Sequence, residues 1–140
     1  MKTKNELKAM SFSGPAALFR EEKGLSDHEN LFDQDCLYTT DTTIHPDSAG
    51  NKLGRDLKYA TIAIGLARGK RIFIGRNRYQ VASSMFDINL SLGAYEVKFC
   101  KNDYNDQIRP NDVIHYKIDL SNSSEFSKRN KSLLGYNAIF

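Results

Sequence analysis

The chain has 140 residues, 40% hydrophobic and 26% charged, with a formal net charge of +3. That length suits one hydrophobic core and that composition excludes a disordered chain. Its longest apolar run, Tyr59–Ala67, is far short of the roughly 20 residues a membrane helix needs.

The charge is unevenly spread. Residues 1–56 carry 7 Lys/Arg against 10 Asp/Glu, whereas residues 57–140 carry 13 against 7. Such polarity suits an anionic partner on one side, or self-association between unlike ends. Cys36 and Cys100 are too few for a disulfide framework and lie in no CxxC, so both are expected to be reduced. The start, MKTKNELKAMSF, has no signal-peptide core, which points to a cytoplasmic protein.

In chain order, a weak helical pattern covers Thr3–Met10. A better-marked helix follows, with Ser13 as cap, Pro15 in the first turn and Gly24 as stop. Ser26–Gly54 is acidic and turn-rich, with a short strand expected near Leu37–Thr43 and a turn at SAGN. From Leu57 the pattern reads as β. In KYATIAIGL the residues Ala60, Ile62, Ile64 and Leu66 share one strand face. In FDINLSL, Phe86, Ile88, Leu90 and Leu92 alternate with polar positions.

After Gly93 the parity flips to Tyr95, Val97 and Phe99, so a bulge or tight turn is expected there. VIHYKIDL is a last strand with Ile114, Tyr116, Ile118 and Leu120 facing in. Asn122 and Glu125 then form a capping box for a final helix, Ser123–Leu134. The sum is one α+β domain over residues 1–140: an acidic helical and loop segment (1–56), then a basic antiparallel sheet (57–140). The sheet has about four to five strands, with an N-terminal and a C-terminal helix around it.

The densest chemical signal is LARGKRIFIGRNRYQ, residues 66–80, where Arg68, Lys70, Arg71, Arg76 and Arg78 occur with no acid between them. Arginine grips phosphate with a planar fork, and Phe73 and Tyr79 offer faces on which bases could stack. These seven residues are the expected anion-binding set, for RNA, nucleoprotein or an anionic lipid surface. The bland alternative is an edge strand that carries charge against aggregation.

Catalytic signals are weaker. His115 beside Lys117, with Arg109 nearby, is the minimum kit of a metal-independent ribonuclease. His45 lies between Asp41 and Asp47, at a spacing that fits no standard metal site. Pro46–Asp47 followed by Asp56-Leu57-Lys58 imitates a nuclease pattern at a short gap, and Gly50, Gly54 and Lys58 lack the GK[ST] ending of a phosphate-binding loop. No cofactor, metal or small-molecule substrate is evident.

FDINLSLGAYEVKF and NSSEFSKRNKSLLGYNAI, within residues 86–140, resemble the C-terminal strands and last helix of rhabdovirus matrix proteins. The matching positions are Phe86, Ile88, Leu90, Gly93 and Glu96, then Asn122, Ser123, Ser124, Phe126, Ser127, Leu134 and Ile139. The resemblance implies a non-enzymatic viral structural protein that self-associates and attaches a nucleocapsid to an anionic membrane. No PPxY or PTAP motif and no dense N-terminal lysine cluster accompany it. The expectation is therefore a non-enzymatic, self-associating module, cytoplasmic or peripheral at a membrane or in a virion. Tyr136, Ile139 and Phe140 are its candidate self-association residues. The alternatives are the His115 ribonuclease, as a toxin or effector domain, and a phage or host-defence inhibitor that binds a protein.

Overall fold

The computed structural model describes residues 5–22, 25, 28, 29 and 31–122. Its elements are β1 (Ala9–Pro15), β2 (Cys36–Ile44), α1 (Leu53–Ala67), β3 (Ile72–Arg78), α2 (Ser83–Ser91), β4 (Tyr95–Cys100) and β5 (Val113–Asp119). The strands form one five-stranded sheet in the order β1-β2-β3-β5-β4. β2 and β3 are parallel, joined by a crossover through α1, and the other three pairs are antiparallel. The expected α+β class therefore holds.

Several elements differ from their sequence reading. The segment read as the first helix begins as strand β1 and continues only as a short 3-10 turn, Ala16–Phe19. KYATIAIGL is not a strand but the body of α1. Its buried positions Lys58, Ile62, Ala63, Gly65 and Leu66 follow a helical spacing. The run is apolar at both parities, so alternation there carried no information about which period applies. FDINLSL likewise lies mostly in α2, where the amide of Phe86 donates to the carbonyl of Ala82 at 3.0 Å. The final helix Ser123–Leu134 and the residues Tyr136, Ile139 and Phe140 lie outside the described residues.

Local chemistry explains how α1 docks. It ends in a Schellman arrangement, with Gly69 at φ +79°, the Lys70 amide on the Gly65 carbonyl at 2.8 Å and the Gly69 amide on the Leu66 carbonyl at 3.1 Å. At Gly65 a Cβ would lie 2.5 Å from the Phe73 ring, so the glycine lets helix and sheet close together. Ile62, Ala63 and Leu66 then pack with Phe73, Tyr116 and Ile118 on one sheet face. Each fully buried side chain of this size contributes roughly 1.5–3 kcal/mol.

The opposite face is also covered. Ala16, Leu25 and Leu31, from the segment between β1 and β2, pack on Cys36, Tyr38, Ile72 and Ile74. Phe19 meets Tyr38 edge to face at 5.0 Å. β3, the middle strand of the five, and its neighbour β5 are thus buried on both faces.

Candidate active site

The parallel pair β2–β3 is short. It runs from Cys36↔Ile72 to Thr39↔Gly75 and stops, although β2 continues to Ile44 and β3 to Arg78. At the same level the β1–β2 ladder skips Thr40, passing from Ser13↔Thr39 to Phe12↔Asp41. An extra residue in one strand bends it and increases its twist, so β2 turns away from β3 beyond Thr39. The two strands open like a V at their carboxyl ends, which is where ligands bind in open sheets with parallel strands.

A cavity of about 190 Å³ occupies this V, lined among others by Thr40, Asp41, Lys58, Arg76, Tyr104 and Tyr116. A second cavity, of about 510 Å³, lies between the starts of α1 and α2 and is lined by Gly50, Lys52, Gly54, Arg55, Ser84 and Asp87. Met85 lines both cavities, so they adjoin. A Cβ on Gly54 would come within 3.1 Å of the Met85 methyl, which makes this glycine part of the close approach of the two helices.

The start of α1 suits an anion. Lys52 occupies the N-cap in a left-handed conformation (φ 61°) and caps no amide with its side chain. The first hydrogen bond into the helix is from the Asp56 amide to the Lys52 carbonyl, at 3.0 Å. The amides of Leu53, Gly54 and Arg55 precede it and point toward the open end, where the helix dipole also favours negative charge. This loop, HPDSAGNKLG, lacks the GK[ST] ending, yet a glycine-bearing turn straight before a helix was its legible signal.

At the apex of the V lies a buried polar pair. Lys58, only 4% exposed, donates from Nζ to the Tyr116 hydroxyl oxygen at 2.7 Å. Its amino group also stands 4.9 Å from the centre of the tyrosine ring. The ring lies against Gly75, where a Cβ would fall 2.7 Å from its Cζ. No carboxylate pairs with Lys58 among the described residues.

The basic segment is not one surface. Arg68 is exposed at the end of α1, Lys70 donates to the Gln34 carbonyl, and the Arg71 amide bonds the Asp35 carbonyl. Phe73 is 1% exposed in the core and presents no face to a base. Arg76 and Arg78 lie at the other end of β3, roughly 17 Å and 23 Å along the strand from Arg71. Only these two of the set line the cleft.

Both already meet acids. Arg76 faces Asp103 at 3.2 Å and Glu22 at 3.4 Å. Arg78 forks onto Asp106 with two contacts of 2.6 Å and stacks over the Tyr104 ring at 4.5 Å. Its hydrogen bond holds the Asp106 carboxyl below the usual carboxylate range. Tyr79 is not among the cleft-lining residues and lies against Phe99, 5.4 Å between ring centres.

The ribonuclease set is not assembled at a surface. VIHYKIDL has the expected parity, but its second face is covered too, so His115 is fully buried, 5.7 Å from the His28 ring. Burial, then His28 and Arg76, push the His115 imidazole down to about 4. Lys117 is 4% exposed and donates to Glu29 at 2.8 Å, while Arg109 donates to the Asp106 carbonyl in the β4–β5 connection. His45 accepts from the Asp47 amide at 3.2 Å, and Asp56 and Lys58 are on a helix rather than a strand.

No family model matches the sequence, and no curated protein sequence matches it significantly. Solved structures do match. The ribosomal-protein-S18-alanine N-acetyltransferase of Escherichia coli is 24% identical with a TM-score of 0.56, over 62% of this chain and 56% of that one. The Salmonella typhimurium protein yncA, a putative acetyltransferase solved with its cofactor acetyl-CoA, is 19% identical with a TM-score of 0.62, over 84% and 60%. The ribosomal-protein-alanine N-acetyltransferase of Brucella melitensis is 18% identical with a TM-score of 0.63, over 86% and 66%. The fold is that of the N-acetyltransferases.

These matches span less than two thirds of each neighbour's length. They overturn the matrix-protein resemblance, because the similar structures are acetyltransferases and FDINLSL is largely helical. With it go the viral structural role and the non-enzymatic expectation, since the shared fold is one of enzymes. The expected RNA or lipid partner gives way too, because the neighbour yncA holds a small molecule, acetyl-CoA. Among the described residues no helix is long and apolar enough to cross a membrane.

Proposed function

We propose that the chain is an acetyl-CoA-dependent N-acetyltransferase, a single cytosolic domain that transfers an acetyl group to an amine. The observation that carries this reading is the V between β2 and β3, continuous with a cavity at two helix starts. The residues present fit the cofactor. The Leu53–Arg55 amides, with Lys52 and Arg55, would hold its pyrophosphate. The β2 edge beyond Thr39, which has no ladder partner on β3, offers backbone groups to the amides of its pantetheine arm. Bound there, acetyl-CoA supplies an activated acetyl thioester.

The chain's own contribution is orientation and charge. The V admits the donor from the α1–α2 side, while Arg76, Arg78 and Tyr104 border the cleft where the β4–β5 connection crosses it. Asp41 provides a carboxylate among the cleft-lining residues, suited to an incoming amine. Holding two reactants in one crevice converts a bimolecular encounter into an oriented one.

Isothermal titration of the purified protein with acetyl-CoA tests the reading, together with thiol release in the presence of a panel of amines and N-terminal peptides. Saturable binding and amine-dependent release are expected. An absence of binding at millimolar acetyl-CoA would overturn it.

A further inference from the structure

α1 turns a stripe of side chains toward the sheet, and one of them is chemically out of place. Ile62, Ala63 and Leu66 are apolar and buried in the core. One turn before Ile62 stands Lys58, also buried, with 4% of its surface exposed. A lysine withdrawn from water is costly unless an opposite charge or several acceptors compensate it, and an apolar side chain of similar size would fill the space at less cost. Among the described residues Lys58 has one hydrogen bond, from Nζ to the Tyr116 hydroxyl oxygen at 2.7 Å, and no carboxylate partner.

Position gives this amine a chemical meaning. Lys58 lines the cleft together with Thr39, Asp41 and Arg76, at the level where β2 and β3 part. A primary amine is thus built into the crevice that, on the reading above, brings an acetyl thioester and an amine together. Its stem is anchored in α1 and its tip is held by Tyr116. With one N–H directed to the tyrosine oxygen, the neutral amine keeps its lone pair for a carbonyl carbon. Holding the nucleophile in place makes attack on a bound thioester an oriented, unimolecular step. The cavity, of about 190 Å³, has room for the three heavy atoms of an acetyl group.

We propose that Lys58 is a self-acetylation site, its Nζ taking the acetyl group from a thioester bound in the cleft of the same chain. This rests on the acetyl-transfer reading above. Written for the neutral amine, Nζ bonds to the thioester carbonyl carbon, and the carbon–sulfur bond breaks with its electron pair on sulfur. One amine proton passes through water to that sulfur. The products are an Nζ-acetylated Lys58 and a free thiol, with no oxidant or reductant required. Lys58 is too deeply buried for a second protein to reach, so the step is intramolecular. The modification removes the buried charge and leaves an acetyl group in the crevice.

The test reads the mass of the protein itself rather than turnover. The full chain is incubated with acetyl-CoA and, separately, with S-acetyl-N-acetylcysteamine, a small thioester without the pyrophosphate. Trypsin cuts after Arg55 and Arg68 but not after an acetylated lysine, so the modification appears as an uncut peptide spanning 56–68. Exposed Lys101 reports the background reactivity of an amine in solvent. With either thioester Lys58 should be acetylated at least about tenfold faster than Lys101. The rate constant should not change when the protein is diluted, excess free CoA should slow it, and in urea the preference for Lys58 should vanish. Lys58→Arg should leave the corresponding peptide unmodified.

Thermal unfolding confirms that Lys58→Arg is folded, and the comparison of native with urea-unfolded wild type keeps the test open if it is not. Isothermal titration with acetyl-CoA separates the two readings. Saturable binding with Lys58 acetylated no faster than Lys101 overturns this proposal and leaves the acetyl-transfer reading standing. A rate constant that rises with protein concentration also overturns it, because the step would then be intermolecular. Absence of both binding and acetylation overturns both readings.

Discussion

Gly75 and Tyr116 are register partners across β3 and β5, and the tyrosine ring takes the space that a side chain at Gly75 would fill. A methyl group at Gly75 would come within 2.7 Å of the ring, closer than packed atoms tolerate. Because Gly75 lies in a strand, the usual gain from replacing glycine is outweighed here by overpacking. Gly75→Ala should destabilise the fold by about 1–3 kcal/mol, measured by urea unfolding. It should also displace Tyr116 from Lys58, whereas Gly50→Ala, with no neighbour within 4 Å, removes no such space. Wild-type stability in Gly75→Ala would show that the ring has room to move.

His115 sets an expectation for acid stability. It is neutral in the fold, its imidazole pushed down to about 4 by burial, then by His28 and Arg76, with Lys98 adding to this and Asp103 opposing. The unfolded chain takes up a proton near 6.5, so between these values the unfolded state binds more protons. Stability should therefore be full above about pH 6.5 and fall as pH drops toward 4, by a contribution on the order of 2–3 kcal/mol. His115→Leu should flatten that limb of the stability profile, measured by denaturant midpoints across pH. An identical acid slope in wild type and variant would assign the loss to other groups.

Arg78 ties the β4–β5 connection to β3. Besides its two contacts to Asp106, it donates to the Ile108 carbonyl at 2.6 Å. Lysine keeps the charge but cannot reproduce the planar fork. Arg78→Lys should speed hydrogen exchange at the Asp103 and Tyr104 amides, which bond the Asn111 carbonyl at 3.0 and 3.1 Å. Exchange in the strands β3 and β5 should hardly change. Unchanged protection at Asp103 and Tyr104 would mean that the backbone alone holds the connection.

The α+β class was legible because strong local patterns belong to the right elements. VIHYKIDL alternates cleanly and is β5, with Tyr116, Ile118 and Leu120 on the helix-covered face as expected. The strand expected near Leu37–Thr43 is β2, and Gly93 does turn the chain, at φ +89°. α1 was misread because Ala60–Leu66 is apolar at nearly every position, so a period of two and a period of 3.6 fit equally well. Packing decided between them: Gly65 against Phe73 requires a helix over a sheet, a relation between residues eight apart in sequence.

The site was barely legible for the same reason. Its parts, Thr39–Thr42, Lys52–Lys58, Gly75–Arg78, Tyr104 and Tyr116, are spread over nearly eighty residues and form no contiguous motif. The basic run of residues 68–78 drew attention by composition, yet the fold sends its charges to opposite ends of a strand and Phe73 into the core. By itself the sequence determined how much apolar surface there was to bury, the charge and most of the strands, because those follow from local composition and alternation. Only the tertiary structure decided where β2 and β3 part, and therefore that Lys58 and Tyr116 meet. Register, bulge and crossover depend on contacts between distant residues, which no local pattern encodes.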